Sequence, residues 1–338
     1  MITVLGAGNG GVALSCYFEK KGLNVTLWNR SENRLENIKK NENKIIVNNY
    51  ELNIRETIKI SKVTTDLELA TKKSEYIFIV TPGFAHEDIS KKLKELNIHN
   101  KVIFFMPGRT LGAKKAFEII DNDSNMYFES QTILHTCRLE GNELLQYKQK
   151  PTLLYTGYNN TEYNRNLIHN DLIKLIPELK YLDNYYDISL NNIGAMLHPA
   201  PTLLNIGLVE SKKEFFYYRE AISPVIAKYI EKMDLERKKI CDAYNSIFIS
   251  VFDWLKIEYN SFGDTLYERL QNNLSYNEIK GPNSINHRYI IDDLLTGLVP
   301  LYFLAKSKNI EVPYIKNIIV LANNLLERDF FSEGRKET

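Results

Sequence analysis

The chain opens on ITVLGAGNGG, an apolar run that gives way to glycines at positions 6, 8 and 11. Few short patterns restrict a backbone so tightly. A strand that runs through G-x-G-x-x-G into a helix uses the first glycine for a tight turn. The second lets the backbone approach a pyrophosphate, and the third lets the helix pack close to the strand. The N-terminus of that helix then presents unbonded N–H groups to an anion. The stretch Gly6, Gly8, Asn9, Gly10 and Gly11 therefore reads as a dinucleotide-binding turn.

The second strand, NVTLWN, is where the dinucleotide would be distinguished. A carboxylate about 20 positions past the glycines binds the ribose 2′-hydroxyl of NAD. Here Asn29, Arg30 and Ser31 stand in that place, with no acidic residue at the strand tip. Arg30 can pair with a 2′-phosphate and Ser31 can donate to it, so NADP(H) is favoured and NAD(H) is the other possibility. The alternative for Arg30 is a solvated surface cation.

Further along, EYIFIVTP and KVIFFMPG are continuous apolar runs bounded by proline and glycine, each leading into an amphipathic segment. Such runs are strands buried on both faces, and their alternation with helices predicts a parallel sheet with right-handed crossovers. Ahead of them, after the second strand, KIIVNNYELNIRETIKI reads as a small hairpin insertion. After about Tyr186 strand signals stop, and long helices are expected over Leu190 to Ser211, Phe215 to Trp254 (interrupted by Pro224) and Asp292 to Lys306. The fold class is α/β plus all-α: a Rossmann-type parallel-sheet domain over 1–183, then a helical domain over 184–338.

A length of 338 residues accommodates two such domains. Lys+Arg 43 against Asp+Glu 42 leaves a net charge of +1, which argues against nucleic acid as a partner. The 3 cysteines, Cys16, Cys137 and Cys241, are too few and too scattered for a disulfide framework. No signal-like segment precedes the first strand, and apolar stretches such as GLVPLYFLA are too short to span a bilayer. A cytoplasmic protein with no membrane partner is expected, and the helical half has room for a homodimer interface. No His/Cys/Asp/Glu group has metal-ligand spacing.

One histidine, His198 in GAMLHPAP, lies in an apolar run, followed at once by Pro199. It is either a core histidine or a proton carrier. Several stretches together resemble the opine dehydrogenases, the octopine and nopaline dehydrogenase family: GAGNGG, VTPGFAH, FMPGRTLG, ESQTILHTCR, LHPAP and HRYIIDDLLTGL. The resemblance spans nearly the whole chain, and its His-Pro and Arg-Tyr elements are the specific ones. It implies a Rossmann fold followed by a helical domain. The implied reaction is NAD(P)H-dependent condensation of a 2-oxo acid with the amino group of an amino acid, through reduction of an imine. By motif, the family's His–Asp pair maps onto His198 and Asp293, and Thr81 and Pro82 fall in a loop that touches the cofactor. Cys137 and Arg138 fall where the family builds part of the amino-substrate pocket.

The residue types suit that chemistry. Arg288 can grip the carboxylate of an oxo acid with its planar guanidinium. A carboxylate on one imidazole nitrogen fixes the tautomer and makes the other nitrogen more basic. Asp293 and Asp292 compete for that place; the family usually has Glu before its aspartate, and here it is Asp292. Arg109 is a candidate for a second substrate carboxylate, or a surface residue. His287 reads as a spectator, and FFYYRE as helix packing, the alternative being that Tyr217 or Tyr218 lines a cleft. Two other readings keep the fold: a 2-oxo acid or ketopantoate-type reductase without an amine, and a non-catalytic NADP(H)-binding protein.

Overall fold

In the computed structural model, which describes residues 1–160 and 162–337, the opening run Ile2–Leu5 (β1) is buried at every position. So are Val25–Trp28 (β2), Tyr76–Ile79 (β6) and Val102–Phe105 (β7). Strands with no polar face need cover on both sides, which helices supply. They pair in parallel with β1 at the centre: Ile2 faces Val25 on one side and Tyr76 on the other, and Tyr76 in turn faces Val102. Lys62–Thr64 (β5), Met126–Ser130 (β8), Leu153–Tyr158 (β11) and Leu179–Tyr181 (β12) complete an eight-stranded sheet of order β12-β11-β8-β7-β6-β1-β2-β5. One pair departs from the parallel expectation. Strand β11 runs antiparallel to β8, with Tyr155 opposite Ser130, because the chain between them detours through a second sheet rather than a crossover helix.

That second sheet contains the expected hairpin. Lys44–Asn49 (β3) and Ile54–Lys59 (β4) pair antiparallel, and the sheet continues through Glu143–Gln149 (β10) to His135–Glu140 (β9). The first helix, Asn9–Lys20, buries Val12, Leu14, Cys16 and Phe18. All of this belongs to one compact unit, Met1–Ile188, and the second unit is Ser189–Thr338.

The second unit is helical, but two of the three long helices expected from sequence are broken. Leu190 to Ser211 becomes Ile193–Leu197, Pro199–Leu204 and Ile206–Glu210. Pro199 lacks the N–H that would continue the first piece, so His198 serves both as its C-cap and as the N-cap of the next. Phe215 to Trp254 becomes Tyr217–Glu220, Pro224–Ala243 and the start of Val251–Tyr259. Pro224 opens the long helix instead of interrupting it: its fixed φ suits the first turn, and the Ser223 side chain accepts from the Ile226 N–H. Asp292 to Lys306 is covered by Arg288–Asp293, a π-helical turn at Leu294–Leu298 and Val299–Ser307.

A buried arginine fixes where the His198 segment begins. Arg237, on the long helix, donates to Asp234 Oδ1 (2.8 Å), the Leu190 carbonyl (3.1 Å) and Asn191 Oδ1 (2.8 Å). Among the described residues, no helix is long and apolar enough to cross a membrane.

Candidate active site

In the first unit the glycines are needed at the backbone level. Gly6 has φ +118°, and a Cβ there would run into the Val80 carbonyl oxygen; a Cβ on Gly11 would run into the Gly6 carbonyl oxygen. Gly8 differs, because a Cβ there would meet nothing within 4 Å. Its open face lies at the start of the first helix, where no side chain caps the free N–H groups. The Thr81 hydroxyl, at the end of β6 and against Gly6, is buried and has no hydrogen-bond partner among the described residues. A turn stripped of side chains, a bare helix N-terminus and an orphaned hydroxyl beside them fit a pyrophosphate.

The neighbouring candidates divide by role. Asn29 Oδ1 accepts from the Ala7 N–H (3.1 Å), which ties the glycine turn to the end of β2. Asn9 Oδ1 accepts from the Leu139 N–H (3.1 Å) and so anchors the helix start to β9. Gly10 packs against Val80 and Ile133. Arg30 and Ser31 are exposed; Arg30 Nη1 is 3.8 Å from Asp88 Oδ2 across solvent. Pro82 is exposed just beyond Thr81. Cys137 sits against the glycine turn, its Sγ 3.4 Å from the Asn9 carbonyl, and burial pushes its thiol up to about 12. Arg138 is exposed and pairs with Glu140 on its own strand. Arg109 is half-buried at φ +62° in the turn between β7 and the helix Gly112–Ile120.

In the second unit His198 and Asp293 meet. Asp293 Oδ2 lies 2.8 Å from His198 Nδ1, with the carboxylate 2% exposed and the histidine side chain 17%. Asp292 turns elsewhere: the Thr296 hydroxyl donates to its carbonyl (2.8 Å) and lies 3.5 Å from its Oδ1. The segments carrying the pair pass close together at Gly297, where a Cβ would stand 2.6 Å from that of Ala195.

The histidine is held on every side. Tyr289 stacks on its ring, centroids 4.0 Å apart and 10° from parallel. Its carbonyl accepts from the hydroxyls of Thr202 (2.7 Å) and Tyr217 (2.8 Å). Nε2, the nitrogen away from Asp293, is 3.3 Å from the Tyr218 hydroxyl. Arg288 opens the helix that ends in Asp293; it is exposed, and among the described residues no carboxylate lies within ion-pair distance of it. His287 caps that helix, its Nδ1 accepting from the Tyr289 N–H (3.3 Å). Burial, then the charges of Arg288 and His198, hold His287 below the usual histidine range.

Sequence reasoning missed Tyr289 on the ring, and for Tyr217 and Tyr218 it left open whether they pack or line a cleft. Tyr289 carried no signal beyond its place next to Arg288. Tyr217 and Tyr218 are adjacent in a helical turn, so they point in different directions: one holds backbone, the other faces Nε2.

Over residues 181–326 the chain matches the NAD/NADP octopine/nopaline dehydrogenase α-helical domain, and over 1–127 the N-terminal domain of NAD-dependent glycerol-3-phosphate dehydrogenase. It is 32% identical to an opine dehydrogenase of Arthrobacter sp. (strain 1C), over 98% of this chain and 92% of that one. The chain belongs to the opine dehydrogenase family. As in that family, it is an NAD(P)-dependent oxidoreductase acting on a CH–NH bond. The fold is shared with octopine dehydrogenase bound to NADH and L-arginine (TM-score 0.81, 17% identity, 96% of this chain and 89% of that one), an enzyme also solved with NADH and pyruvate. It is shared too with yersinopine dehydrogenase bound to NADP⁺ (TM-score 0.79, 12% identity, 98% and 91%).

Proposed function

We propose that this opine dehydrogenase condenses pyruvate with the amino group of an amino acid, using NADPH, and that His198 carries the protons. The observation that supports the reading best is the His198–Asp293 pair, a buried carboxylate 2.8 Å from one imidazole nitrogen.

Asp293 accepts from Nδ1–H and so fixes the tautomer in which the Nε2 lone pair is basic. An amino acid arrives as ammonium, which is no nucleophile. Nε2 takes its proton, the amine attacks the ketone carbon, and His198 returns a proton to the hydroxyl of the carbinolamine as water leaves. Arg288, exposed and without a carboxylate of its own, grips the carboxylate of the oxo acid through two N–H donors. The glycine turn, Thr81 and Asn29 hold the dinucleotide, which when bound supplies the hydride that reduces the imine carbon.

The preference for NADPH rests on Arg30 and Ser31 at the end of β2, which meet a 2′-phosphate with a cation and a hydroxyl where NAD sites have a carboxylate. Arg30→Ala then lowers kcat/KM for NADPH and leaves that for NADH unchanged. Cys137 and Arg109 are assigned to substrate contacts. The cytoplasm is the proposed location, in keeping with three free thiols, and a homodimer is the proposed assembly.

The test is an amino-acid panel with pyruvate and NADPH, followed by mass spectrometry of the product. An N-(1-carboxyalkyl) amino acid is expected from at least one member. Oxidation of NADPH at a rate indifferent to the amine would overturn the reading in favour of simple oxo-acid reduction.

A further inference from the structure

The Tyr218 hydroxyl, 3.3 Å from Nε2, occupies the atom through which His198 would exchange protons. Its neighbour in sequence is otherwise engaged: the Tyr217 hydroxyl bonds the carbonyl of His198 and the hydroxyl of Thr202 (2.9 Å). Tyr218 is pinned in place by stacking on Tyr276, with centroids 3.8 Å apart and planes 12° from parallel, and its carbonyl accepts from the Gln271 amide (2.9 Å). Beyond Tyr276, the ring of Tyr259 is 5.2 Å away and 39% exposed, so a row of three phenol rings leads from Nε2 of His198 toward the surface of the second unit. Burial holds the hydroxyls of Tyr218 and Tyr276 well above the usual tyrosine range, so they remain protonated and pass protons only by taking one as they give one.

The reaction requires such a route. The ketone carbon gains a C–N bond and a hydride, and its oxygen departs as water. If the amine enters as ammonium and leaves as a protonated secondary amine, one proton is drawn from solvent in every turnover. His198 spends the proton taken from the ammonium on the departing hydroxyl, so the proton that ends on the secondary amine must come from solvent.

We propose that Tyr218 is a positioning residue for His198: its O–H holds the Nε2 lone pair before the amine arrives, and passes His198 the solvent proton that each turnover consumes. In the transfer the Tyr218 O–H bond breaks as an N–H bond forms at Nε2, and the phenol oxygen takes a proton from the solvent side. The inference rests on the proton-carrying role given to His198 above. The titratable groups around that ring are Asp293 and Tyr289 from one helix with its cap His287, and Tyr217 and Tyr218 from another, while Arg288 lies over the Tyr289 ring, 5.5 Å from its centroid.

Tyr218→Phe keeps the ring and its stacking and removes only the hydroxyl. With pyruvate, NADPH and the best amino acid, kcat is expected to fall about tenfold or more, with both KM values within about twofold. The deficit is expected to widen as pH rises, where solvent protons are scarce, and to shrink as the concentration of a small buffer acid is raised. A purely structural tyrosine would give neither the tilt nor the buffer rescue. Wild-type kcat in the variant, or a loss uniform in pH and blind to buffer, overturns the proposal. Failure of the wild-type enzyme to use any amine, or wild-type kcat in His198→Gln, overturns instead the reading on which it rests.

Discussion

Tyr289 lies flat on His198, ring centroids 4.0 Å apart and 10° from parallel, and is itself 4.9 Å from the ring of Tyr217. The carboxylate of Asp293 fixes one nitrogen of the histidine but leaves rotation about that hydrogen bond open; the flat tyrosine closes it. Stacked rings contribute about 0.5–1.5 kcal/mol beyond burial. Tyr289→Leu is therefore expected to lower kcat about tenfold without weakening NADPH binding, while Tyr289→Phe keeps most activity. Steady-state kinetics of both variants check this, and equal losses in the two would mean that the hydroxyl, not the plate, matters.

Asp293 and Asp292 differ by which one reaches the ring, and their substitutions should separate sharply. An asparagine at 293 offers an amide with no charge to stabilise the imidazolium, and its NH₂ can stabilise the wrong tautomer. Loss of such a partner costs about 10²–10⁴ in kcat. Asp292 faces Thr296 instead, so Asp292→Asn is expected to affect the melting temperature more than kcat. If Asp292→Asn cost as much kcat as Asp293→Asn, the proposed division between them would be wrong.

At the glycine turn, fold and function come apart. Gly8 has φ −85° and ψ −174°, ordinary extended backbone, and open space where a Cβ would go. Gly8→Ala should leave the thermal transition where it is and weaken NADPH binding about tenfold, because the methyl group takes the place of a phosphate oxygen. Gly11→Ala has no such freedom: its Cβ would collide with the Gly6 carbonyl. It should cost about 1–3 kcal/mol of stability as well as binding. Calorimetry and fluorescence titration distinguish the two; a destabilised Gly8→Ala would refute the assignment of that open space to a ligand.

The parts legible in the sequence were those written in local pattern. Unbroken apolar strands and three spaced glycines gave the central sheet, and the stretch from Lys44 to Lys59 showed its hairpin by alternation alone. The strands His135–Glu140 and Glu143–Gln149 escaped, although Gly141 at φ +62° marks the turn between them. Their half-buried alternation depends on partners far away in sequence, β3 above all. The long helices were over-read because 3.6-residue periodicity survives a break: Pro199 and Pro224 restart helices in a direction only packing decides. His198, Arg288 and Asp293 stood out as chemistry set in apolar or motif surroundings. Tyr218 and Tyr289 did not, since an aromatic that orients a histidine looks in sequence like one that fills a core.

A second histidine, unconnected with the proposed chemistry, sets the acid limit of the first unit. His135 on β9 is buried, with Nε2 3.2 Å from Gln149 Oε1, and burial pushes it down to about 4 against the opposing hydrogen bond from Gln149. In the unfolded chain a histidine titrates near 6.5. Since the folded value is the lower one, the folded state prefers neutral His135. The resulting stability is complete above about pH 6.5 and drains away as pH falls toward 4, by about 2 kcal/mol at pH 5. Urea unfolding of the first unit can be followed through Trp28 in a Trp254→Phe background, which removes the other of the 2 tryptophans. Between pH 7.5 and pH 5 the midpoint should drop further in that protein than in the same protein carrying His135→Gln, whose neutral amide can still donate to Gln149. An equal drop in both would assign the acid sensitivity to other groups.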